Sequence, residues 1–479
     1  VSALLDLLGA DTARVTGFAI DHRKVAPGCV FGAFRGASVN GEDFIPAAVA
    51  SGALAVVARP EAVVTGARHI PSDNPRSTFA RLAADWFQPY PPVTAAVTGT
   101  NGKTSTVELL RQLWHLSGER AASMGTLGVT TADERAAAGT SGLTSPDIVT
   151  FLSTAAGLAR EGVTHLAFEA SSHGLDQYRT EGLPVRAAAF TNLTRDHLDY
   201  HGSMEAYFAA KRRLFTEVVG EDGAAIVWRD DRSEGADWNR AIAETARARG
   251  LLLLTVGPDG EAIRLVSRTP SRLGQALVLD AGGTRQEVLL PLIGGYQAAN
   301  ALVAAGIAIA LGQEPKPVLE RLSRVSGIRG RLERAVITAT GAPAYVDYAH
   351  TPDALSAAIA ALRPHTANRL ILVFGCGGDR DRGKRPEMGR IAVDAADLAI
   401  VTDDNPRTED PAAIRRDILA GAPGAIEIPG RREAIAEALS RARDGDVVLI
   451  AGKGHEQGQI VGREVLPFDD ATVAREVAR

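Results

Sequence analysis

The run Val93-Thr94-Ala95-Ala96-Val97-Thr98 leads without a break into Gly99-Thr100-Asn101-Gly102-Lys103-Thr104-Ser105. The first part reads as a short buried strand, and Val107, Leu109, Leu110, Leu113 and Trp114 follow at helical spacing. Glycines at both ends of the turn let backbone N–H groups close on phosphate oxygens at a helix N-terminus. Lys103 adds a point charge, and the hydroxyl of Thr104 is placed for Mg²⁺. The general G-x-x-x-x-G-K-[ST] form would need its first glycine at Val97, so this is a shorter variant. A strand, turn and helix of this kind belong in an α/β sheet whose strand ends open onto a phosphate.

With 479 residues the chain is too long for one ordinary core. Pro89-Tyr90-Pro91-Pro92 is a stiff break, and Ser326-Gly327-Ile328-Arg329-Gly330-Arg331 marks a second one. These breaks predict three domains, 1–88, 89–328 and 329–479. In the first, 29–34 and 53–57 read as strands with a loop at 36–41 between them. In the second, strands at 165–169, 187–191 and 224–227 alternate with helical patterns, which predicts a mostly parallel sheet of P-loop type. The β-rich stretch 251–290 predicts a small antiparallel insertion, and 296–311 a helix. In the third, 370–375, 398–402 and 446–452 are apolar runs ending in glycine or polar residues, as in a Rossmann-like sheet.

Three clusters carry possible chemistry. Glu169 closes a strand and precedes Ala170-Ser171-Ser172-His173; a carboxylate at that edge suits Mg²⁺, although a helix-capping serine after an ordinary acid explains it equally well. His197 lies in Thr191-Asn192-Leu193-Thr194-Arg195-Asp196-His197-Leu198-Asp199-Tyr200-His201, whose spacing matches no zinc pattern. Lys211 shares a helix face with Tyr207 and Leu214, and helix periodicity alone makes it a lysine that snorkels to water. In the last third, 375–386, Asp403-Asp404-Asn405-Pro406-Arg407-Thr408 and Gly452-Lys453-Gly454-His455-Glu456 each follow a strand. Together they set cations and anions at one sheet edge, as a zwitterionic ligand requires.

Taken together, 98–106, Glu169 to His173, 192–201, Gly330-Arg331-Leu332-Glu333, Asp347-Tyr348-Ala349-His350-Thr351-Pro352 and 452–456 resemble the Mur ligases, the ATP-dependent amide-forming enzymes of peptidoglycan precursor synthesis. The resemblance spans all three segments in order. It implies an N-terminal domain for the UDP end of a substrate, a central ATPase and a C-terminal Rossmann-like domain for an amino acid. ATP would phosphorylate the D-glutamate side-chain carboxylate of UDP-MurNAc-L-Ala-D-Glu, and an amine would displace the phosphate.

Residue roles follow from the matching motifs. The resemblance places Gly99, Thr100, Asn101, Gly102, Lys103, Thr104 and Ser105 on the ATP phosphates, with Asn300, Arg331 and Asp347 as further ATP contacts. It places Thr104, Glu169, His197 and a carbamylated Lys211 on two Mg²⁺ ions, with Lys103, Glu169, His197 and Lys211 as the catalytic set. Thr144, Ser145, Ser171, Gln177 and Arg179 would hold the UDP-muramoyl peptide. Arg380, Asp404, Asn405, Pro406, Arg407, Gly452 and Glu456 would hold the acceptor. Asp404 to Arg407 resembles the signature of the diaminopimelate-adding branch: an arginine fork matches the distal carboxylate of meso-diaminopimelate, which lysine lacks. Two positions depart from the pattern: His22 stands where many members carry serine near the uridine, and Gln297 replaces a frequent asparagine.

Within the superfamily the competing readings are a lysine-adding ligase, against which Arg407 argues, and a folylpolyglutamate synthetase, against which the extra N-terminal domain argues. From another class come a P-loop nucleotide switch and a silent binding protein. A switch needs no amino acid, and a silent protein has no use for Glu169, His197 and Lys211 together. Composition narrows the partners. A net charge of −5 carries no polyanion-binding signature, so nucleic acid is not expected. Cys29 and Cys376 are the only cysteines, which favours a reducing cytoplasm over a disulfide framework. There is no signal-peptide pattern and no apolar run of about 18 residues, so a monomer without membrane insertion is expected.

Overall fold

The strand Val93–Thr98 ends where the glycine turn begins, and the helix Lys103–Leu116 leaves from Gly102. The computed structural model describes residues 7–36, 39–131, 144–233 and 235–478. Ala37 and Ser38 of the expected loop 36–41 lie outside these, as do residues 1–6 of the N-terminal segment. The chain divides into two compact units, Val1–Ala262 with Val303–Glu314, and Ile263–Leu302 with Pro315–Arg479.

The first unit holds two sheets. Gly17–Ala19, Cys29–Gly32, Ala55–Ala58 and Arg68–Pro71 pair in that order, all parallel. The two central strands, Cys29–Gly32 and Ala55–Ala58, are apolar and buried along their whole length, as parallel strands covered on both faces require. The helix Pro75–Phe87 packs there through Phe79 and Leu82, with the Asn74 side chain capping Ser77 N. The second sheet runs Leu252–Gly257, Ala224–Trp228, Val185–Phe190, Val93–Thr98, His165–Glu169, Ala121–Gly125, Gly128–Thr130, parallel except for the last pair. Helix Lys103–Leu116 buries Val107, Leu109, Leu110, Leu113 and Trp114, the residues whose spacing predicted it. Full burial of each is worth about 1.5–3 kcal/mol, which anchors the helix whose N-terminus faces the strand ends.

The expected insertion at 251–290 needs correction. Leu252–Gly257 pairs in parallel with Ala224–Trp228, reached through the helix Ala236–Ala248, so it is a strand of the main sheet. Only Ile263–Ser271, Gly274–Ala281 and Thr284–Leu290 form an antiparallel meander, in the second unit. The continuous apolar run at 251–254 belongs to a crossover strand, whereas Gly282-Gly283 supplies the positive φ of a tight hairpin.

The second unit carries a six-stranded sheet in the order Glu333–Ile337, Pro343–Asp347, Val447–Ala451, Leu370–Phe374, Leu398–Val401, Ile426–Glu427, parallel beyond the first pair. Helices Pro352–Leu362, Lys384–Ala395 and Pro411–Leu419 bury one face, and Arg431–Arg441 with Asp470–Val477 bury the other. The strand Val447–Ala451 lies between Pro343–Asp347 and Leu370–Phe374, so the sheet order reverses there. In such sheets the crevice beyond the carboxyl ends takes the ligand. Thr351 and Asp410 cap their helices with side-chain bonds, and Pro352 and Pro411 open them.

Candidate active site

The glycine turn is shaped by its neighbours as much as by its glycines. Gly99 sits at φ +147°, and a Cβ there would lie 1.9 Å from Thr191 Oγ1. Thr191 Oγ1 donates to Asn101 O at 2.6 Å, while Asn192 accepts Thr100 N on its backbone carbonyl (2.9 Å) and Asn101 N on Oδ1 (3.0 Å). The loop is thus held by the strand end beside it. Lys103 Nζ donates back to Gly99 O (2.9 Å) and Thr100 O (2.8 Å).

Lys211 does not snorkel. Its side chain is 1% exposed, and Nζ donates to that same Gly99 carbonyl at 2.7 Å. Tyr207, Lys211 and Leu214 do share a face, but the face is buried. Burial, then the nearby charge of Lys103, hold the Lys211 amine well below the usual lysine range. Tyr207 links the cluster: Lys211 Nζ lies 4.5 Å from its ring centroid, Thr100 Oγ1 is 3.1 Å from its hydroxyl, and the His197 ring stands edge-on at 6.1 Å. His197 itself is half exposed, at φ +53°, and edge-on to His173 at 4.8 Å.

One strand over, Val97 pairs with Glu169 in the parallel register. Glu169 is 2% exposed, yet its hydrogen-bond partners are uncharged: Thr126 N at 2.7 Å and Thr126 Oγ1 at 3.3 Å. Among the described residues no three His, Cys, Asp or Glu side chains converge to hold a metal ion by themselves. A buried carboxylate bonded, among the described residues, only to uncharged partners and lying beside a phosphate loop is the kind of oxygen donor that a divalent ion would use. Thr104, Glu169 and His197 carry oxygen and nitrogen donors of the kinds Mg²⁺ accepts.

Around Glu169 the predicted substrate contacts come together. Ser145 Oγ donates to Glu169 O (3.1 Å) and accepts from Ser171 N (3.1 Å) and Ser171 Oγ (3.0 Å). Thr144 Oγ1 lies 3.2 Å from Thr126 Oγ1. Arg179 donates to Ser145 O (3.4 Å) and twice to Gln177 Oε1 (3.1 and 2.6 Å). His22 is not brought into this cluster; it stacks on Phe44 at 4.5 Å, within the N-terminal sheet region.

In the second unit, Asp347 ends its strand 9% exposed, with Oδ2 accepting Leu332 N (2.8 Å) and Oδ1 accepting Ala349 N (2.9 Å). Burial lifts its carboxyl to about 6, against the pull of Arg331. Gln297 Nε2 donates to Arg331 O (2.9 Å), and its Oε1 accepts from Asn300 Nδ2 (3.2 Å). Gln297 is therefore the link that joins Asn300 to the Arg331 turn.

At the neighbouring strand ends, Asn405 Nδ2 donates to Glu456 Oε2 (2.8 Å), and Arg407 Nη1 donates to Gly378 O (2.9 Å). Gly452, at φ +117°, lets Asp404 approach to where a Cβ would be 2.5 Å from Oδ2. Pro406 is buried. Arg380 is exposed on a loop whose preceding residue, Asp379, accepts from Thr408 N and Thr408 Oγ1.

Known proteins match this chain along nearly its whole length. The Mur ligase family catalytic domain matches 14–96, the Mur ligase middle domain 97–308, and the Mur ligase glutamate ligase domain 330–454. The UDP-N-acetylmuramoyl-L-alanyl-D-glutamate--2,6-diaminopimelate ligase of Zymomonas mobilis is 58% identical over 466 residues, 96% of this chain and 94% of that protein.

The chain belongs to the Mur ligase family. The Caulobacter vibrioides protein of the same description is 50% identical over 463 residues, covering 95% of this chain and 94% of its own. A solved structure of a UDP-N-acetylmuramoyl-L-alanyl-D-glutamate--2,6-diaminopimelate ligase superposes with TM-score 0.73 at 34% identity, over 97% of this chain and 94% of that one. As a Mur ligase the chain is an ATP-dependent ligase. The expected fold class, three α/β family domains with mostly parallel sheets, agrees with these matches.

Several residues of this Mur ligase were missed in the sequence. Asn192 and Thr191 grip the phosphate loop; the run 191–201 was singled out, but nothing in it showed that these two would bond to the loop. Lys453 looked like a loop cation and is 0% exposed. The hairpin Gly458–Val461 with Glu464–Pro467 went unread, although Gly462-Arg463 between two β-branched runs is a turn signal.

Proposed function

We propose that this chain joins meso-2,6-diaminopimelate to the D-glutamate side-chain carboxylate of UDP-MurNAc-L-Ala-D-Glu, with ATP converted to ADP and phosphate. The observation that carries this reading is near-full-length similarity, at 58% identity, to a ligase of that description. The geometry supports it: a pre-shaped phosphate loop, and an arginine at 404–407 that closes no ion pair among the described residues and donates to backbone carbonyls.

A carboxylate is a poor electrophile. Transfer of the terminal phosphoryl group breaks its bond to ADP and forms an acyl phosphate. The neutral amine of the acceptor then attacks the acyl carbon, the C–N bond forms, phosphate leaves, and the nitrogen loses a proton. Positioning and charge neutralisation supply most of the rate. Gly99 to Ser105 hold the phosphates through backbone N–H groups, and Lys103 turns from its loop carbonyls to the transferred group. Thr144, Ser145, Ser171, Gln177 and Arg179 orient the dipeptide. Arg407 takes the distal carboxylate of the acceptor and Glu456 its ammonium.

Thr104, Glu169, His197 and Lys211 would hold two Mg²⁺ ions, which neutralise phosphate charge when bound. For Lys211 to serve, its amine adds CO₂ and releases a proton, giving a carbamate with oxygen donors. The environment that disfavours its ammonium form supports that step. The division 1–88, 89–328 and 329–479 assigns the UDP end, ATP and the amino acid to successive segments. A cytoplasmic monomer is the matching state; among the described residues no helix is long and apolar enough to cross a membrane.

The deciding experiment is phosphate release with Mg²⁺-ATP and UDP-MurNAc-L-Ala-D-Glu, with meso-diaminopimelate or L-lysine added in parallel. Release and tripeptide formation driven by diaminopimelate alone are expected. Release driven by lysine would discard the acceptor assignment, and release indifferent to both would discard the ligase.

A further inference from the structure

The hairpin Gly458–Val461 with Glu464–Pro467 stands apart from the six-stranded sheet, and begins just beyond the last residue, 454, of the matched glutamate ligase domain. It is nonetheless bonded residue by residue to the loop 404–407. Gln459 Nε2 donates to Asp404 O (2.6 Å), and Ile460 N donates to Asn405 Oδ1 (2.9 Å). Arg407 N donates to Ile460 O (3.0 Å), and Gly462 N donates to Arg407 O (2.7 Å), so Arg407 and Val461 form a parallel bridge. Arg407 is held there at φ +53°, a conformation a side-chain-bearing residue keeps only when its surroundings impose it.

Beneath the loop lies Lys453, 0% exposed. Its Nζ donates to Asn405 Oδ1 (3.1 Å), Glu456 Oε2 (3.3 Å) and Gly458 O (2.6 Å). All three ammonium donors are therefore used, one of them on the hairpin itself. Because Asn405 Oδ1 receives both Lys453 and Ile460 N, the amide has one orientation, with Nδ2 on Glu456 Oε2. Glu456 is thus held by Oε2 from two sides, which leaves Oε1 for an ammonium.

We propose that the hairpin 458–467 and Lys453 form a positioning clamp that fixes Arg407 and Glu456 at the spacing of the acceptor's distal amino-acid centre, and that this clamp sets acceptor selectivity. The proposal rests on the ligase reading above. Arg407 and Glu456 are the groups that touch the acceptor; Lys453, Gln459 and the hairpin backbone act through them.

The test uses the full chain and steady-state phosphate release, once the wild type has been shown to depend on diaminopimelate; failure at that first step rejects the ligase reading and not the clamp. Gln459→Leu removes one bond to the loop from a half-buried surface position. Its KM for meso-diaminopimelate is expected to rise about 3–10-fold, with KM for ATP and Tm unchanged and the preference over L-lysine reduced. Lys453→Met leaves Asn405 and Glu456 without their buried cation, and a rise of about a hundredfold is expected. An unchanged acceptor KM in Gln459→Leu overturns the clamp. So does an equal rise in KM for ATP, which marks general loosening, or equal weakening of diaminopimelate and lysine. Should Lys453→Met fail to fold, the Gln459→Leu result decides alone.

Discussion

Replacing Gly99 with alanine tests the physical basis of the phosphate loop at one atom. The backbone there has φ +147°, and the added Cβ would sit 1.9 Å from Thr191 Oγ1. Holding a non-glycine residue in that region costs about 1–3 kcal/mol. Relieving the overlap adds about 1–3 kcal/mol, and moving Thr191 Oγ1 off Asn101 O loses about 0.5–1.5 kcal/mol. The combined cost is about 2.5–7.5 kcal/mol. At about 2 °C per kcal/mol for a body of this size, Tm falls by about 5–15 °C. The carbonyl of Gly99 also carries Lys103 and Lys211, so a shifted loop raises KM for ATP at least about tenfold. Thr191→Ala removes the colliding oxygen. Alone it costs about 1 kcal/mol, but the double variant recovers at least about 1 kcal/mol relative to the sum of the two single changes. Calorimetry on the four proteins measures the cycle. Strict additivity, or a Gly99→Ala protein with native Tm and native KM for ATP, would refute the close contact.

Three further outcomes follow from buried charge. Lys211→Met is expected to lower turnover by about a hundredfold or more, and to abolish a carbamate signal seen by NMR after equilibration with ¹³C-bicarbonate; full activity in the variant would remove Lys211 from the mechanism. Burial raises Asp347 from 3.8 to about 6, so the folded protein binds this proton more tightly than the unfolded chain, and the stabilisation present below pH 3.8 is lost as pH rises through about 6. Denaturant titrations from pH 4 to 7 should show Asp347→Asn gaining about 3 kcal/mol on the wild type across that window; a constant offset would contradict it. Arg431 and Asp470 are both 0% exposed, with Arg431 also on Ala451 O at 3.0 Å. Arg431→Met should cost about 3–5 kcal/mol, and adding Asp470→Asn should recover part of that cost; two equally unstable proteins would count against an uncompensated charge as the cause.

The phosphate loop, Glu169 and the strand-end positions of Asp347, Asp404 and Gly452 were legible because each follows an apolar run whose period marks a strand. The sequence order of the clusters matched the family, which singled out Arg407 and Lys211 where periodicity alone did not. Two things stayed hidden. Long-range hydrogen bonds, such as Asn192 to Asn101 or Ile460 N to Asn405, leave no mark on local periodicity. Parallel pairing was also missed at 252–257, where strand type alone does not say which neighbour the strand will take. The burial of Lys211 belongs with these, since helix spacing fixed its face without saying what that face meets.

The arginines show the same division in energetic terms. Seen as a string, 375–386 is simply basic, and Arg380, Arg382 and Arg385 look alike. In the fold Arg385 is 0% exposed and paired with Glu409 (2.9 Å) and Asp417 (2.9 Å). Arg415 pairs with Asp403 and Glu427, and Arg431 with Asp470. These guanidiniums have spent their charge inside the protein and hold loops in place. Among the described residues, half-buried Arg179, Arg331 and Arg407 make no ion pair and bond only uncharged acceptors or stack on a ring. A partly desolvated cation without an anion lowers stability. Burial already weakens the hold of Arg179 on its proton. Among the described residues each feels a carboxylate only at a distance, Arg179 that of Asp147, Arg331 that of Asp347 and Arg407 that of Asp379, and none closes an ion pair. The phosphates and carboxylates of the proposed substrates would supply close partners.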